Sequence, residues 1–325
     1  MRQPLGRRAL LLGTGGLLAG TTGCSAASRT EAGPATSVSP ATPVTASPSP
    51  RSSLPATTAW RPGRGEVDPT VKLRAVQVVE AIGSWPAGQG GAAAAKRRVA
   101  ALGAPPSLVD RAGPLRPDAD EAALQVIDAQ YGGILADSAS VMVVCRQWIP
   151  GHAGGTTVDV RLSRARPRWE VTALHPARPG AAAASLPMAA RKVLDEPRIG
   201  LPPAAEADIR SGHIHPTVLR ALLGLAGTYR IDISVIRSGH PLYVFGTDRP
   251  SDHPVGRAFD VWRIDGHLVV DPGTSRRLTE SFMRDAAAAG SYNVGGPFQL
   301  SGGATANQFF TDNTHHDHVH VGFAS

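Results

Sequence analysis

Cysteine is nearly absent. The 325-residue chain has two, Cys24 and Cys145. That is too few for a zinc ribbon and, if Cys24 is modified, too few for any internal disulfide. Cys145 lies in the apolar run SVMVVCRQW, which predicts a buried, inert thiol. Aromatic residues make up only 5% of the chain and nowhere alternate with basic ones, so the stacking pattern of a nucleic-acid binder is missing. Acidic residues are missing ahead of Cys24, where Arg2, Arg7 and Arg8 lie. Without those three, 30 bases face 26 acids, and the formal +7 falls to +4. So small a surplus gives no strong case for nucleic acid and is compatible with weak attraction to an anionic surface such as a cell wall. The length suggests one to two domains plus tails.

The N-terminal segment GRRALLLGTGGLLAGTTGC reads as an export signal over residues 1–24. Its apolar stretch is short and Gly-rich for a membrane span. The Arg7-Arg8 pair resembles a twin-arginine signal, and Cys24 after Thr22-Gly23 resembles a bacterial lipobox, with Thr21 where Leu is usual. The expectation is lipidation of Cys24, exposure at the outer face of the cytoplasmic membrane or in the cell wall, and a membrane contact through that anchor. Residues 25–64 hold seven prolines among Ser, Thr and Ala and read as a disordered tether. Extended at about 3.1 Å per residue, such a tether reaches on the order of 120 Å.

The remainder predicts an α+β chain in two parts. Over residues 65–180, VKLRAVQVVEAIGSW spaces Leu73, Val76, Val79 and Ile82 for a helix, and AAAAKRRVAAL predicts another. SVMVVCRQWI and TTVDVRLSRARPRWEVTAL read as strands. Helices followed by antiparallel strands suggest a small accessory domain loosely resembling the NTF2-like kind. Its His152 and His175 read as surface loop residues. Residues 181–325 form the second part. Helices are expected in AAAASLPMAARKVL, HPTVLRALLGLAGTY and SRRLTESFMRDAAAAG; strands in IDISVIRSGH and HVHVGF; and a hairpin turning at Asp265-Gly266 in RAFDVWRIDGHLVV.

Of eleven histidines, His253, His315, His316, His318 and His320 cluster in two C-terminal segments. In HVHV, alternation puts His318 and His320 on one strand face. In RAFDVW, Asp260 shares a face with Ala258 and Trp262 and needs a partner if that face is half-buried. Two readings stand: a carboxylate on the wet face of an edge strand, or a metal ligand with His253 and His320. Two His, one carboxylate and an open position would make a catalytic rather than a structural zinc site. The other histidines read as bland. His213 and His215 repeat the HxH shape before the Pro216 helix without a partner motif, and His240 and His267 are neighbours in sequence only.

SDHPVGRAFD resembles the S-x-H-x-x-G-x-A-x-D signature of the zinc D,D-peptidases, matching at Ser251, His253, Gly256, Ala258 and Asp260. HVH is similar to the H-x-H of the wider group that includes murein endopeptidases and lysostaphin-like enzymes. The resemblance covers about 90 residues, Ile231 to Phe323, and implies a hedgehog/D,D-peptidase fold with an antiparallel sheet. It implies Zn²⁺ on His253, Asp260 and His320, and peptidoglycan stem peptide or cross-bridge as substrate. The D,D-peptidases have a Glu base three residues before the last ligand, where this chain has Asp317. The murein-endopeptidase type has His there instead, two and five residues before, matched by His318 and His315. His318 is therefore the expected base, His315 a helper and Asp317 the runner-up. The resemblance further implies Arg237 as oxyanion stabiliser and Ser251 as substrate contact. Each also has a structural alternative: a His253–Asp260 turn pair, a solvated HVH face, an Arg237 ion pair, loop histidines at 315 and 316. The missing Glu keeps open a catalytically inactive zinc-containing wall-binding lipoprotein. A solute-binding lipoprotein leaves the zinc motif unexplained.

Overall fold

The computed structural model describes residues 54–165 and 168–324, which lie in one compact unit. The export signal, the lipobox Cys24 and most of the tether lie outside the described residues.

Helix α1 (Pro69–Gly83) starts with proline at its first turn, where the absent N–H is no loss. Val76, Val79 and Ile82 of the expected face are buried, together with Val71, Ala75 and Val78, while Leu73 is only half-buried. Lys72, beside Val71, is also fully buried. Helix α2 (Gly91–Ala101) follows. Strands β1 (Ala123–Ile134), β2 (Ser138–Ile149), β3 (His152–Arg164) and β4 (Trp169–Pro176) form an antiparallel sheet in sequence order. α1 and this sheet share one hydrophobic cluster, which includes Cys145.

The second half contains β5 (Ile199–Gly200), β6 (Ile231–Val235), β7 (Ala258–Ile264), β8 (His267–Leu268), β9 (Asn293–Gly295), β10 (Phe309–Phe310) and β11 (Val319–Gly322). Their order is β10-β9-β11-β7-β6-β5, with β8 on β7. Helices α3 (Met188–Asp195), α4 (Pro203–Arg210), α5 (Pro216–Ala226) and α6 (Arg276–Ala288) complete it. The expected antiparallel sheet is in fact mixed: β5 runs parallel to β6, and β9 to β10. Parallel neighbours need a crossover. The chain supplies one through α4 and α5, and another through the long segment before Phe309. Asp265 (φ 49°) and Gly266 (φ 83°) make the expected tight turn between β7 and β8.

One expectation changes. The tether does not run free to residue 64. Thr58 N–H bonds Gln125 at 2.7 Å, and Trp60 packs on the first cluster. One aromatic in a Pro/Ser/Thr-rich run is enough to dock its end. The first half, expected as an accessory domain, also bonds directly to the second. β1 is an edge strand whose outer groups face the second half: Tyr131 N–H bonds Asp317 Oδ2 at 2.9 Å and Ile134 N–H bonds Thr314 Oγ1 at 3.3 Å. An otherwise open edge is thereby covered.

Candidate metal centre

Strand β7 is not an edge. It lies between β6 and β11, and Asp260 is fully buried. Phe259 and Val261 fill the core on one face. On the other, Asp260 Oδ2 accepts a 2.6 Å hydrogen bond from Gln130 Nε2 of β1. The wet-face reading is thus excluded. His320 on β11 is the cross-strand partner of Asp260, so both side chains leave the sheet on the same side.

His253 comes from the turn before β7 (His253–Val255), which closes on Gly256 at φ 71°. A Cβ on Gly256 would lie 2.2 Å from the His213 carbonyl oxygen, so the position requires glycine twice over. The His253 Nδ1–H donates to the Ile236 carbonyl at 2.8 Å. That bond fixes the tautomer and turns the Nε2 lone pair inward.

Three ligand atoms converge. His253 Nε2 lies 3.2 Å from Asp260 Oδ1 and 3.2 Å from His320 Nδ1, and His320 Nδ1 lies 3.0 Å from Asp260 Oδ1. A tetrahedral ion about 2.0–2.1 Å from each ligand would space them about 3.3 Å apart. The triangle is close to that size. Its chemistry fits as well. An imidazole lone pair and a carboxylate oxygen face each other with at most one N–H between them, a surplus of acceptors that a cation satisfies. His240 adjoins the group. His240, His253 and Asp260 offer ligand atoms within 4.8 Å of one another and could hold a metal ion. The His240 ring stacks on His253 at 3.9 Å between centroids, and its Nδ1–H donates to Pro241 O at 2.9 Å. His253, Asp260 and His320 are the more tightly spaced set, with His240 beside them.

His318 precedes β11 rather than lying in it, yet its ring turns to the same side. Its Nδ1–H donates to Asp317 Oδ1 at 2.5 Å, and its Nε2 stands 3.8 Å from Asp260 Oδ2. Asp317 Oδ2 binds Lys72 Nζ at 2.6 Å and accepts the Tyr131 N–H. His315 abuts His318 and His320 with centroids 5.1 and 5.7 Å away, and its Nδ1–H is held by Asp312 at 2.8 Å. His240, Phe310 and His315 are the half-buried border of the group.

These environments separate the titrating groups. Burial opposes ionisation of Asp260, but the facing imidazoles, His253 foremost, hold its carboxyl well below the usual range. Burial pushes His240 well below the ordinary imidazole value and His320 down to about 4. Both rings are therefore neutral, with lone pairs available, near pH 7. His318 goes the other way: burial lowers it, but Asp260 and Asp317 together raise it. Asp317 is held at about 2 against burial, chiefly by Lys72. Ligands that stay unprotonated beside an imidazole that binds protons more tightly are the separation acid–base chemistry uses.

The remaining expectations are placed as follows. Arg237 is tied elsewhere: its guanidinium meets Asp208 Oδ1 at 3.4 Å and the Pro179 carbonyl at 2.5 Å, the ion-pair alternative rather than an oxyanion contact. Ser251 Oγ lies 3.4 Å from His240 Nδ1 and accepts the His253 N–H at 3.4 Å, so it shapes the loop that carries both rings. The decoy His215 caps α5 by accepting the Thr217 N–H, and His213 bonds Ser211. His152, His175 and His267 are exposed. Gln130 and Lys72 carry no signal of the site in the sequence, and His240, read there as a neighbour in sequence only, stands against His253 in the group. The alternation in ALQVIDAQY signals β1, but nothing local shows that its edge meets Asp260 and Asp317. Comparison with protein-family models, curated proteins and solved structures returned no match.

Proposed function

We propose that this chain is a zinc-dependent peptidase that hydrolyses peptide bonds of peptidoglycan, in the stem peptide or the cross-bridge, at the cell envelope. The observation that carries the reading is the 3.0–3.2 Å triangle of His253 Nε2, Asp260 Oδ1 and His320 Nδ1, with an Asp-held imidazole beside it. Two imidazoles and one carboxylate suit zinc and would leave one position of a tetrahedral ion without a protein ligand. When bound, the ion would supply an acidified water and polarise the scissile carbonyl.

The chain's own residues divide the work. His253, Asp260 and His320 would hold the ion. His318 Nε2 takes the proton from the attacking water, while its Nδ1–H stays on Asp317 and fixes the ring. Asp317, the runner-up base, is engaged by His318, Lys72 and Tyr131, which makes it an orienting group. His315 lends a second imidazole at the half-buried border. Arg237 receives no part. The peptidoglycan substrate rests on the resemblance at Ser251 to Asp260, and the location on the Cys24 lipobox and twin-arginine pair.

A second reading, a zinc-containing wall-binding lipoprotein without turnover, is favoured by burial: His253 and Asp260 are 0% exposed and His318 2%. Elemental analysis of the purified chain, followed by muropeptide release from purified wall with wild type and His318→Ala, separates the two. One zinc per chain and release that His318→Ala abolishes supports the peptidase. One zinc with no release in either supports the binder. No zinc after incubation with the metal sinks both.

A further inference from the structure

The group at β7 and β11 draws on the first half of the chain in a way its sequence neighbours do not explain. Lys72 lies on α1, and its side chain is 1% exposed. The helix already has an apolar stripe to bury, and a buried ammonium costs several kcal/mol unless paired. Its partners are Glu66 and Asp317. Glu66, six residues away, would satisfy a purely local ion pair. Asp317 adjoins the proposed base instead.

Both oxygens of Asp317 are used, for different purposes. Oδ1 accepts the His318 Nδ1–H at 2.5 Å. Oδ2 accepts from Lys72 Nζ at 2.6 Å and from the Tyr131 N–H at 2.9 Å. The carboxylate therefore cannot rotate without breaking a contact to α1 or to β1. A fixed carboxylate fixes the imidazole's tautomer and ring plane, and leaves Nε2 unprotonated toward the metal group.

We infer that Lys72 is a positioning residue of the hydrolytic site, acting on His318 through Asp317. The inference rests on the reading of His318 as base. It also means that the first half is part of the site's machinery rather than a separate binding module.

The test uses the full chain with Lys72→Met, Lys72→Arg and Asp317→Asn, each first checked for zinc stoichiometry and a cooperative melt. The first readout needs no turnover: long-range ¹⁵N–¹H spectra of the His318 imidazole, assigned with His318→Gln. Wild type should show a single Nδ1–H tautomer, Lys72→Met and Asp317→Asn a mixed or reversed pattern, and Lys72→Arg the wild-type one. The second readout is muropeptide hydrolysis. Lys72→Met should keep zinc and KM and lose about 10- to 100-fold in kcat, with most of it restored by Lys72→Arg. A folded, zinc-loaded Lys72→Met with an unchanged His318 spectrum and kcat within about twofold of wild type overturns the inference. If Lys72→Met does not fold, Asp317→Asn, which leaves the Lys72–Glu66 pair intact, decides by the same spectral criterion. Absence of turnover in wild type would refute the peptidase reading, while the spectra would still decide whether Lys72 and Asp317 set the His318 tautomer.

Discussion

Gln130 Nε2 donates a 2.6 Å hydrogen bond to Asp260 Oδ2, so a side chain from the edge of the first sheet holds a carboxylate of the metal group in the second. Gln130 is itself kept in place by the Ser234 hydroxyl, which donates to its Oε1. Outer partners of this kind orient a ligand and tune its affinity. Gln130→Ala should leave the fold intact and weaken zinc binding by about 10- to 100-fold, read by competition with a chromophoric chelator. Unchanged affinity would show that Asp260 needs no outer partner.

Asp260→Ala removes the carboxylate of the candidate metal group and should abolish the zinc binding expected of the wild type. His213→Ala, at the repeat of the same HxH shape, should leave the content unchanged, because His213 Nδ1 is engaged by Ser211 Oγ. Equal loss in both variants would mean that zinc binds outside the β7–β11 group.

Gly256→Ala strains the backbone at φ 71° and drives a methyl to 2.2 Å from the His213 carbonyl. The φ strain alone costs about 1–3 kcal/mol, and the clash adds to it. Chemical denaturation should show a loss of at least that size. Zinc affinity should fall too, since His253 sits in the same turn.

In the metal-free protein the stability contributed by His320 and Asp317 should be lost on acidification, against the opposite effect of Asp128, which burial raises to about 7. His320 has a folded value of about 4 against 6.5 when unfolded, and Asp317 about 2 against 3.8. Both bind protons less readily when folded, so their contributions are present above the unfolded values and are lost on acidification, His320's between 6.5 and 4 and Asp317's toward 2. His240, also lowered, acts in the same direction; His318, raised, contributes below its unfolded value and partly offsets them. Melting temperatures across this range, compared with those of His320→Gln, check the sign. The variant's curve should be flatter between pH 6.5 and 4.

Trp60→Ala should destabilise the folded unit by about 1–3 kcal/mol, because the half-buried indole packs on the first cluster. An unchanged denaturation midpoint would return this segment to the status of a free tether.

Much of this protein is legible in local pattern. Periodicity finds α1, α2, α5 and α6, because each buries one face and repeats at the helical period. The Asp265-Gly266 turn is legible because few residue pairs accept two positive φ values. The meeting of His253, Asp260 and His320 is legible because two of them are close in the chain and the third lies on the strand that pairs with theirs. Parallel pairing of β5 with β6, and of β9 with β10, is not legible, because it depends on how crossovers return the chain.

What the sequence determined by itself is the donor set: residue types, the glycine turn that presents His253, and strands that alternate in and out. What only tertiary structure decided is the surroundings of those donors. Arg237 goes to Asp208, since a buried carboxylate secures the nearest guanidinium. Asp317 is engaged by Lys72 and the Tyr131 amide, which reach it from distant segments. Hydrogen bonds and ion pairs act over a few ångströms in space, whatever the separation along the chain, and a local pattern carries no record of which distant edge will close over it.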